Sequence, residues 1–103
     1  MEHIECFVYS LADGQTAENL RHAVEETQNQ LVKNQDGFLD RRLVQLADRR
    51  FLEMIRWQSR EHMEKAFEVI MNSPVAGQLM QAIEESSLIP LHGELVASYA
   101  GRS

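Results

Sequence analysis

The sequence predicts a two-layer α+β fold with four strands and three helices in the order β-α-β-β-α-α-β. Two observations predict it. Apolar and polar residues alternate in several short segments, as they do in half-buried strands. Between these segments apolar residues recur every three or four positions, as they do on helices that bury one face. A chain of 103 residues without a linker or an internal repeat is also expected to form a single domain, residues 1–103.

The first strand is predicted over residues 3–11, HIECFVYSL. Its alternation puts Ile4, Cys6 and Val8 on one face and Glu5, Phe7 and Tyr9 on the other. Asp13-Gly14 ends the strand, and Thr16 is suited to cap the next helix, which is predicted to extend to Asn34. The apolar face of this helix is Leu20, Ala23, Val24, Thr27 and Leu31.

A hairpin is predicted next, because two β-rich segments follow the Asp36-Gly37 turn with only a short connection between them. These are residues 38–46, FLDRRLVQL, and residues 51–58, FLEMIRWQ. Ser59 is a good N-cap for the helix that follows, whose apolar stripe is Met63, Ala66, Phe67, Ile70 and Met71.

A third helix is predicted to begin at Ser73-Pro74, because serine caps helices and proline suits their first position. Its buried face is Ala76, Leu79, Met80 and Ile83. Pro90 then blocks further helix, and residues 92–99, HGELVASY, are predicted as the last strand.

Right-handed crossovers between these elements give a ferredoxin-like α+β sandwich with a four-stranded antiparallel sheet. Its helices cover one face of the sheet, yet the strands carry apolar residues on both faces, for instance Leu52 and Met54 against Ile55 and Trp57. The second face needs a cover, and the simplest one is a second copy of the chain. We therefore expect a homodimer in which sheet packs against sheet about a two-fold axis.

The composition argues against several classes of partner. With 44% hydrophobic residues and a formal net charge of −6, the chain offers no basic face to nucleic acid. No apolar run approaches the roughly 20 residues that span a bilayer. The one cysteine, Cys6, cannot form an internal disulfide, and the opening MEHIECFVYSL does not resemble a signal peptide, so we expect a cytoplasmic protein without nucleic-acid or membrane partners.

With the fold predicted, two segments of the chain resemble the antibiotic biosynthesis monooxygenase family. They are residues 37–67, GFLDRRLVQLADRRFLEMIRWQSREHMEKAF, and residues 72–80, NSPVAGQLM. The densest similarity is in GFL-RRL, in RW-S-E and in the SP that precedes the third helix. The family consists of small dimeric α+β barrels. Its members include cofactor-free oxygenases of polycyclic phenols, haem-degrading enzymes and small proteins that process aldehydes or quinols.

The resemblance implies no cofactor and disfavours haem. The haem-degrading branch has an asparagine on the first strand, a tryptophan at the end of the third and a haem-ligating histidine after SP. Trp57 matches the tryptophan, but Phe7 or a neighbour replaces the asparagine, and Leu79 or Met80 replaces the histidine. Methionine is nevertheless able to bind haem iron.

Trp57, Glu53 and His62 are the candidate catalytic residues. Trp57 either fills the junction between sheet and helix or lines a cavity, where its N–H would bind a substrate oxygen. Glu53 shares a strand face with Trp57, and burial would make its carboxylate a stronger base unless it pairs with Arg42 or another arginine or lies at a partly exposed strand end. His62 begins the helix after Trp57 and is either a second candidate acid or base or a surface residue.

The candidate substrate-binding residues are Phe7, Tyr9, Arg42, Phe67 and Met80. The four histidines show no spacing typical of a metal site, so no metal is predicted. The resulting hypothesis is a monooxygenase without a cofactor that acts on an aromatic or quinol-type molecule in a cleft between sheet and helices. A non-catalytic small-molecule-binding or accessory dimer is the alternative, and a haem-binding or haem-degrading protein is a third.

Overall fold

The computed structural model describes residues 1–102, and its elements follow the predicted order. The strands are β1 His3–Tyr9, β2 Phe38–Gln45, β3 Phe51–Trp57 and β4 Ile89–Glu94. They form one sheet in the order β2-β3-β1-β4, in which every neighbouring pair is antiparallel. The predicted ferredoxin-like α+β architecture is therefore confirmed.

The helices are α1 Ala17–Gln30, α2 Arg60–Met71 and α3 Ala76–Ala82. Thr16 Oγ1 accepts a hydrogen bond from the Asn19 amide at 3.0 Å, and Ser59 Oγ accepts one from the His62 amide at 3.2 Å. Both side chains therefore cap their helices as predicted. None of the helices in residues 1–102 combines the length and apolar composition that crossing a bilayer requires.

Several predicted boundaries are wrong at the helix and strand ends, and β2 and β3 each end one residue earlier than predicted, at Gln45 and Trp57. α1 ends at Gln30 and is followed by a separate 3-10 turn, Val32–Asn34, which carries Val32 into the core. α3 begins at Ala76, because the Ser73 carbonyl accepts the Ala76 amide at 3.2 Å and closes a turn over residues 73–76 before the helix. β1 ends at Tyr9, beyond which Leu11 makes only an isolated bridge.

The last strand differs most from its prediction, because it covers Ile89–Glu94 instead of residues 92–99. Pro90 lies within it, opposite Phe7. A proline is tolerated there because β4 is an edge strand. Proline has no backbone N–H, and an edge strand has one side on which no neighbouring strand requires that donor. Val96 and Tyr99, which the sequence placed in the strand, are at least nine-tenths exposed.

The helices cover one face of the sheet and bury two clusters of side chains there. One cluster is built around Tyr9, Leu20 and Phe51, and the other around Val32, Ile55, Trp57, Met63 and Ala66. Trp57 is fully buried, and its ring meets that of Phe38 edge-on at 5.8 Å between centroids. The tryptophan at the end of β3 is therefore a core residue that joins sheet to helix.

The opposite face of the sheet carries apolar side chains that the helices do not cover. The strand register puts Met54, Cys6 and Leu91 side by side across β3, β1 and β4, and Leu52, Val8 and Ile89 form the adjacent row. Leu91 is 56% exposed and Ile89 44%. We call this surface, with Ile4 and Val44, the outer face.

The turn before β2 depends on a glycine for two reasons. Gly37 has φ of +81°, a backbone conformation that residues with a Cβ rarely adopt. A Cβ on Gly37 would also lie 2.3 Å from Cγ of His62. His62 therefore packs directly over this turn, and its ring position requires the absence of a side chain at residue 37.

We predict that Gly37→Ala lowers the free energy of unfolding by about 1–3 kcal/mol, because it combines backbone strain with the His62 clash. The matched control is Gly77→Ala in α3, where an added Cβ meets no atom within 4 Å and alanine favours helix. Urea unfolding measures both. Equal midpoints for Gly37→Ala and the parent protein would contradict the prediction.

Candidate functional site

A chamber of about 210 Å³ lies between the covered face of the sheet and the helices α2 and α3. Its walls are mostly apolar, and four side chains predicted from the sequence to form them do line it: Phe7, Tyr9, Phe67 and Met80. The polar residues of the lining come from the strands and α1, and they are Glu5, Tyr9, Thr27, Arg41 and Glu53. An apolar space with a few converging polar groups is typical of a small-molecule site.

A wider, open cleft of about 640 Å³ adjoins the chamber between α2 and β4. The two spaces share the lining residues Glu5, Phe7, Phe67, Met71 and Pro90. The cleft adds polar and charged groups, including Glu64, Glu68 and His92. The chamber therefore has a mouth toward solvent, and Glu5 lies where the two spaces meet.

Glu53 and Arg41 form a buried ion pair in the chamber lining, with side chains 5% and 6% exposed. Arg41 Nε donates to Glu53 Oε1 at 2.7 Å, and Nη2 donates to the same oxygen. Tyr9 donates its hydroxyl to Glu53 Oε2 at 3.2 Å, and burial together with the Glu53 charge raises the pKa of Tyr9. Both oxygens of Glu53 are therefore occupied by protein donors.

Arg41 is anchored further by α1. Its Nη1 donates to Thr27 Oγ1 at 3.0 Å and to the Val24 carbonyl at 3.3 Å. The guanidinium thus ties β2, β3 and α1 together through one buried group.

The sequence assigned the substrate-binding arginine to Arg42, and the structure contradicts that position. Arg42 is exposed, opposite Met54 on the outer face, whereas Arg41 faces the chamber. The reason is a β-bulge near the start of β2, where Phe38 pairs with Trp57 and Asp40 with Arg56. The extra residue exchanges the two faces along the rest of β2, a change that simple alternation does not predict.

Glu5 is a functional candidate that the sequence reasoning missed. Its side chain is buried, and Oε1 accepts a hydrogen bond from Trp57 Nε1 at 3.2 Å. Within residues 1–102 no hydrogen bond to Oε2 is found. Burial raises the pKa of Glu5, the Trp57 N–H opposes that rise, and the charge of Glu53 adds to it. The available signal was a carboxylate on the same strand face as Phe7 and Tyr9.

Trp57 and His62 do not line the chamber or its mouth. Trp57 is enclosed by the core, and its N–H is already donated to Glu5, so this donor is not free for the substrate oxygen that the sequence reasoning assigned to it. His62 lies over Gly37, where its Nδ1 is 2.7 Å from Ser59 Oγ. Of the three predicted catalytic residues, only Glu53 contributes to the chamber.

No cluster of three or more potential metal-binding side chains occurs in the described part of the chain. Leu79 and Met80, which occupy the position of the haem-ligating histidine in the predicted alignment, both line the chamber.

We predict that Arg41→Leu lowers the free energy of unfolding by about 3–5 kcal/mol, because it leaves the Glu53 charge buried without its partner. Arg41→Met combined with Glu53→Met should lower the free energy of unfolding less than Arg41→Leu alone, since no buried charge remains from this pair. Arg21→Leu is the control, because Arg21 pairs with Glu18 and Glu25 on the exposed surface and its loss should barely move the unfolding midpoint. Thermal and urea unfolding measure all three, and similar losses in Arg41→Leu and Arg21→Leu would contradict the prediction.

Neither a protein-family model nor a curated protein matches this sequence. Solved structures do match the fold. A protein from Chloroflexus aurantiacus J-10-fl, provisionally assigned as an antibiotic biosynthesis monooxygenase, is similar at a TM-score of 0.74 and 13% identity, covering 97% of this chain and 98% of its own. SnoaB from Streptomyces nogalater, described as a cofactor-independent oxygenase, is similar at a TM-score of 0.65 and 14% identity, covering 96% of this chain and 95% of its own.

A dimeric ferredoxin-like protein from an uncultured marine organism is also similar, at a TM-score of 0.68 and 10% identity, covering 98% of this chain and 93% of its own. Identities this low establish the fold alone. The chain therefore has the ferredoxin-like α+β fold shared by several proteins that carry a provisional assignment as antibiotic biosynthesis monooxygenases.

Proposed function

We propose that this chain is a cofactor-independent monooxygenase that oxidises a small phenol or quinol in the chamber between sheet and helices. The observation that carries the proposal is the mostly apolar chamber with two carboxylates in its lining, Glu5 and Glu53. The fold likeness to SnoaB, a protein described as a cofactor-independent oxygenase, supports the same reading.

The size and lining of the chamber favour a ligand of one or two aromatic rings. Its volume of about 210 Å³ lies below the roughly 300–1,000 Å³ of clefts that bind drug-sized molecules. Phe7, Phe67 and Met80 supply flat or adaptable apolar contacts. A haem macrocycle is larger than the chamber alone, and Leu79 and Met80 stand where a haem-ligating histidine would be expected, which argues against the haem-binding alternative.

The chemistry needs a base, an electron-rich ring and O₂. With 1-naphthol as the example, loss of the hydroxyl proton gives a naphtholate, which passes an electron to O₂. The two radicals combine at the ring carbon opposite the hydroxyl, and loss of water leaves 1,4-naphthoquinone. One oxygen atom enters the product and the other leaves as water, so naphthol and O₂ balance quinone and water. The chamber's contribution is to orient and desolvate the reactants.

Of the two bases predicted from the sequence, His62 lies outside the chamber lining and Glu53 has both oxygens engaged by Arg41 and Tyr9. Glu53 in this scheme maintains the shape and charge balance of the chamber. The non-catalytic alternative, a small-molecule-binding or accessory dimer, shares the same chamber and differs only in lacking turnover.

We also propose that the protein is a homodimer in which the outer face of one copy packs against that of another. Two adjacent rows of apolar side chains cross this face, with Arg42 beside Met54, and Leu91 and Ile89 on it are about half exposed. A second copy with the same face would remove that surface from water and complete a dimeric barrel.

We predict that the protein consumes O₂ in the presence of 1-naphthol and releases one quinone per O₂. Met80→Trp should fill part of the chamber and weaken binding of 1-naphthol, measured by calorimetry without O₂, by at least about tenfold. Val69→Trp is the control, because Val69 is exposed on α2 and outside the chamber lining. Binding without O₂ uptake would favour the accessory dimer, and absence of binding to any one- or two-ring phenol would contradict both readings.

We predict that sedimentation gives twice the chain mass at micromolar concentration. Met54→Asp should shift the protein to monomer, because it puts a charge at the centre of the outer face next to Cys6. Val69→Asp, on the helical side, should leave the dimer intact. A parent protein that is monomeric and folded by circular dichroism would overturn the homodimer.

A further inference from the structure

We propose that Glu5 accepts the phenolic proton of the ligand and that Trp57 positions its carboxylate for this task. The inference rests on the proposed oxygenase function and names the residue that begins its reaction. It assigns a role to the one carboxylate of the chamber lining that is not already bound by an arginine.

The position of Glu5 suits contact with a ligand. Its side chain lines both the chamber and the open cleft, so it stands where a bound ring would meet the mouth. Its residue is 8% exposed. Oε1 is held by Trp57, and Oε2 has no hydrogen-bond donor among residues 1–102. The free oxygen is therefore available to a ligand hydroxyl within a largely desolvated space.

The two chamber carboxylates are consequently not equivalent. Glu53 receives Arg41 on one oxygen and Tyr9 on the other, so both of its oxygens are engaged. A proton acceptor needs an accessible lone pair, and Glu53 would have to give up an existing bond to offer one. Glu5 offers one without such a change.

Trp57 acts on the ligand only through Glu5. It is fully buried and does not line the chamber, yet its N–H reaches Oε1 at 3.2 Å. This bond fixes the carboxylate plane and opposes the rise that burial causes in the pKa of Glu5. Burial therefore makes the Glu5 carboxylate a stronger base, and the hydrogen bond from the indole stabilises its ionised form.

The proton transfer balances without a further reactant. The ligand O–H bond breaks, a new O–H bond forms at Glu5 Oε2, and the electron pair remains on the ligand as phenolate. Glu53 and Arg41 face Glu5 from the chamber side, and Glu64, Glu68 and His92 line the cleft from α2 and β4. The accepted proton leaves to solvent through this cleft.

This arrangement also selects the ligand class. Negative charge is already present on Glu53 and, when ionised, on Glu5, whereas Arg41 is committed to Glu53. A neutral phenol fits, but an aromatic carboxylate would bring a further anion to the same place. We therefore expect 1-naphthol to bind at least about tenfold more tightly than 1-naphthoate.

The test is the pH profile of kcat/KM for 1-naphthol. In the parent protein the rate should rise with pH as Glu5 becomes ionised. Glu5→Gln, which preserves the shape of the side chain, should lower kcat/KM by roughly 100-fold or more and abolish this rise. The control is Glu18→Gln, which removes an exposed carboxylate of α1 outside the lining of both the chamber and the cleft and should retain both the rate and the profile.

Trp57→Phe tests the positioning role separately. It deletes the N–H that lowers the pKa of Glu5, so the rise in rate should move to higher pH while the high-pH plateau is largely kept. A purely structural role for Trp57 would reduce the plateau or the stability without moving the profile. An unmoved profile in Trp57→Phe overturns the positioning assignment.

The proposed function and this inference fail in different ways. If the parent protein oxidises 1-naphthol and Glu5→Gln keeps its rate and pH profile, Glu5 is not the proton acceptor and the oxygenase proposal stands. If the parent protein neither binds nor oxidises 1-naphthol, the function fails and the inference with it. Binding of 1-methoxynaphthalene, which has no acidic proton, should be equal in the parent and Glu5→Gln, and this equality shows that the chamber of the variant is intact.

Discussion

The site depends on the burial of two carboxylates on the helix-covered face of the sheet. Glu5 on β1 and Glu53 on β3 point into a layer that is otherwise largely apolar, where an ionised group without partners is strongly unfavourable. Each is stabilised by a group from another strand, Glu53 by Arg41 and Glu5 by Trp57. The positions of these donors determine which carboxylate has both oxygens bonded and which retains an unbonded oxygen.

The bulge in β2 is what makes the first of these pairings possible. It turns Arg41 toward the helices and Arg42 toward the outer face. Arg41 then reaches Glu53 and also the end of α1 through Thr27. One inserted residue thus places a cation in the chamber lining and links three elements, so a local irregularity of the backbone has a direct chemical consequence.

Trp57 connects the core to the chamber. Its ring packs with Phe38 and the second core cluster, and its N–H is the one donor to Glu5 found within residues 1–102. Stability and site geometry therefore depend on the same side chain. The outer face lies on the other side of the strands, although Leu91 on it also lines the cleft. The proposed dimer contact therefore adjoins the mouth of the chamber.

The sequence by itself determined the order of elements, the ferredoxin-like fold, the capping roles of Thr16 and Ser59, and the strand faces of β1 and β3. These features depend on local periodicity and on side chains that bond to nearby backbone. The sequence also identified Phe7, Tyr9, Phe67 and Met80 as chamber walls, since their faces follow from the same periodicity.

Only the tertiary structure decided which polar groups meet. The bulge that selects Arg41, the edge position that admits Pro90 to β4, and the contact between Trp57 and Glu5 all join residues far apart in the chain. Periodicity gives the face on which a side chain lies, but not the neighbour that it meets there. Strand register and packing across the whole sheet decide how many hydrogen bonds a buried carboxylate accepts. Both oxygens of Glu53 accept hydrogen bonds, whereas Glu5 keeps an oxygen without a donor among residues 1–102.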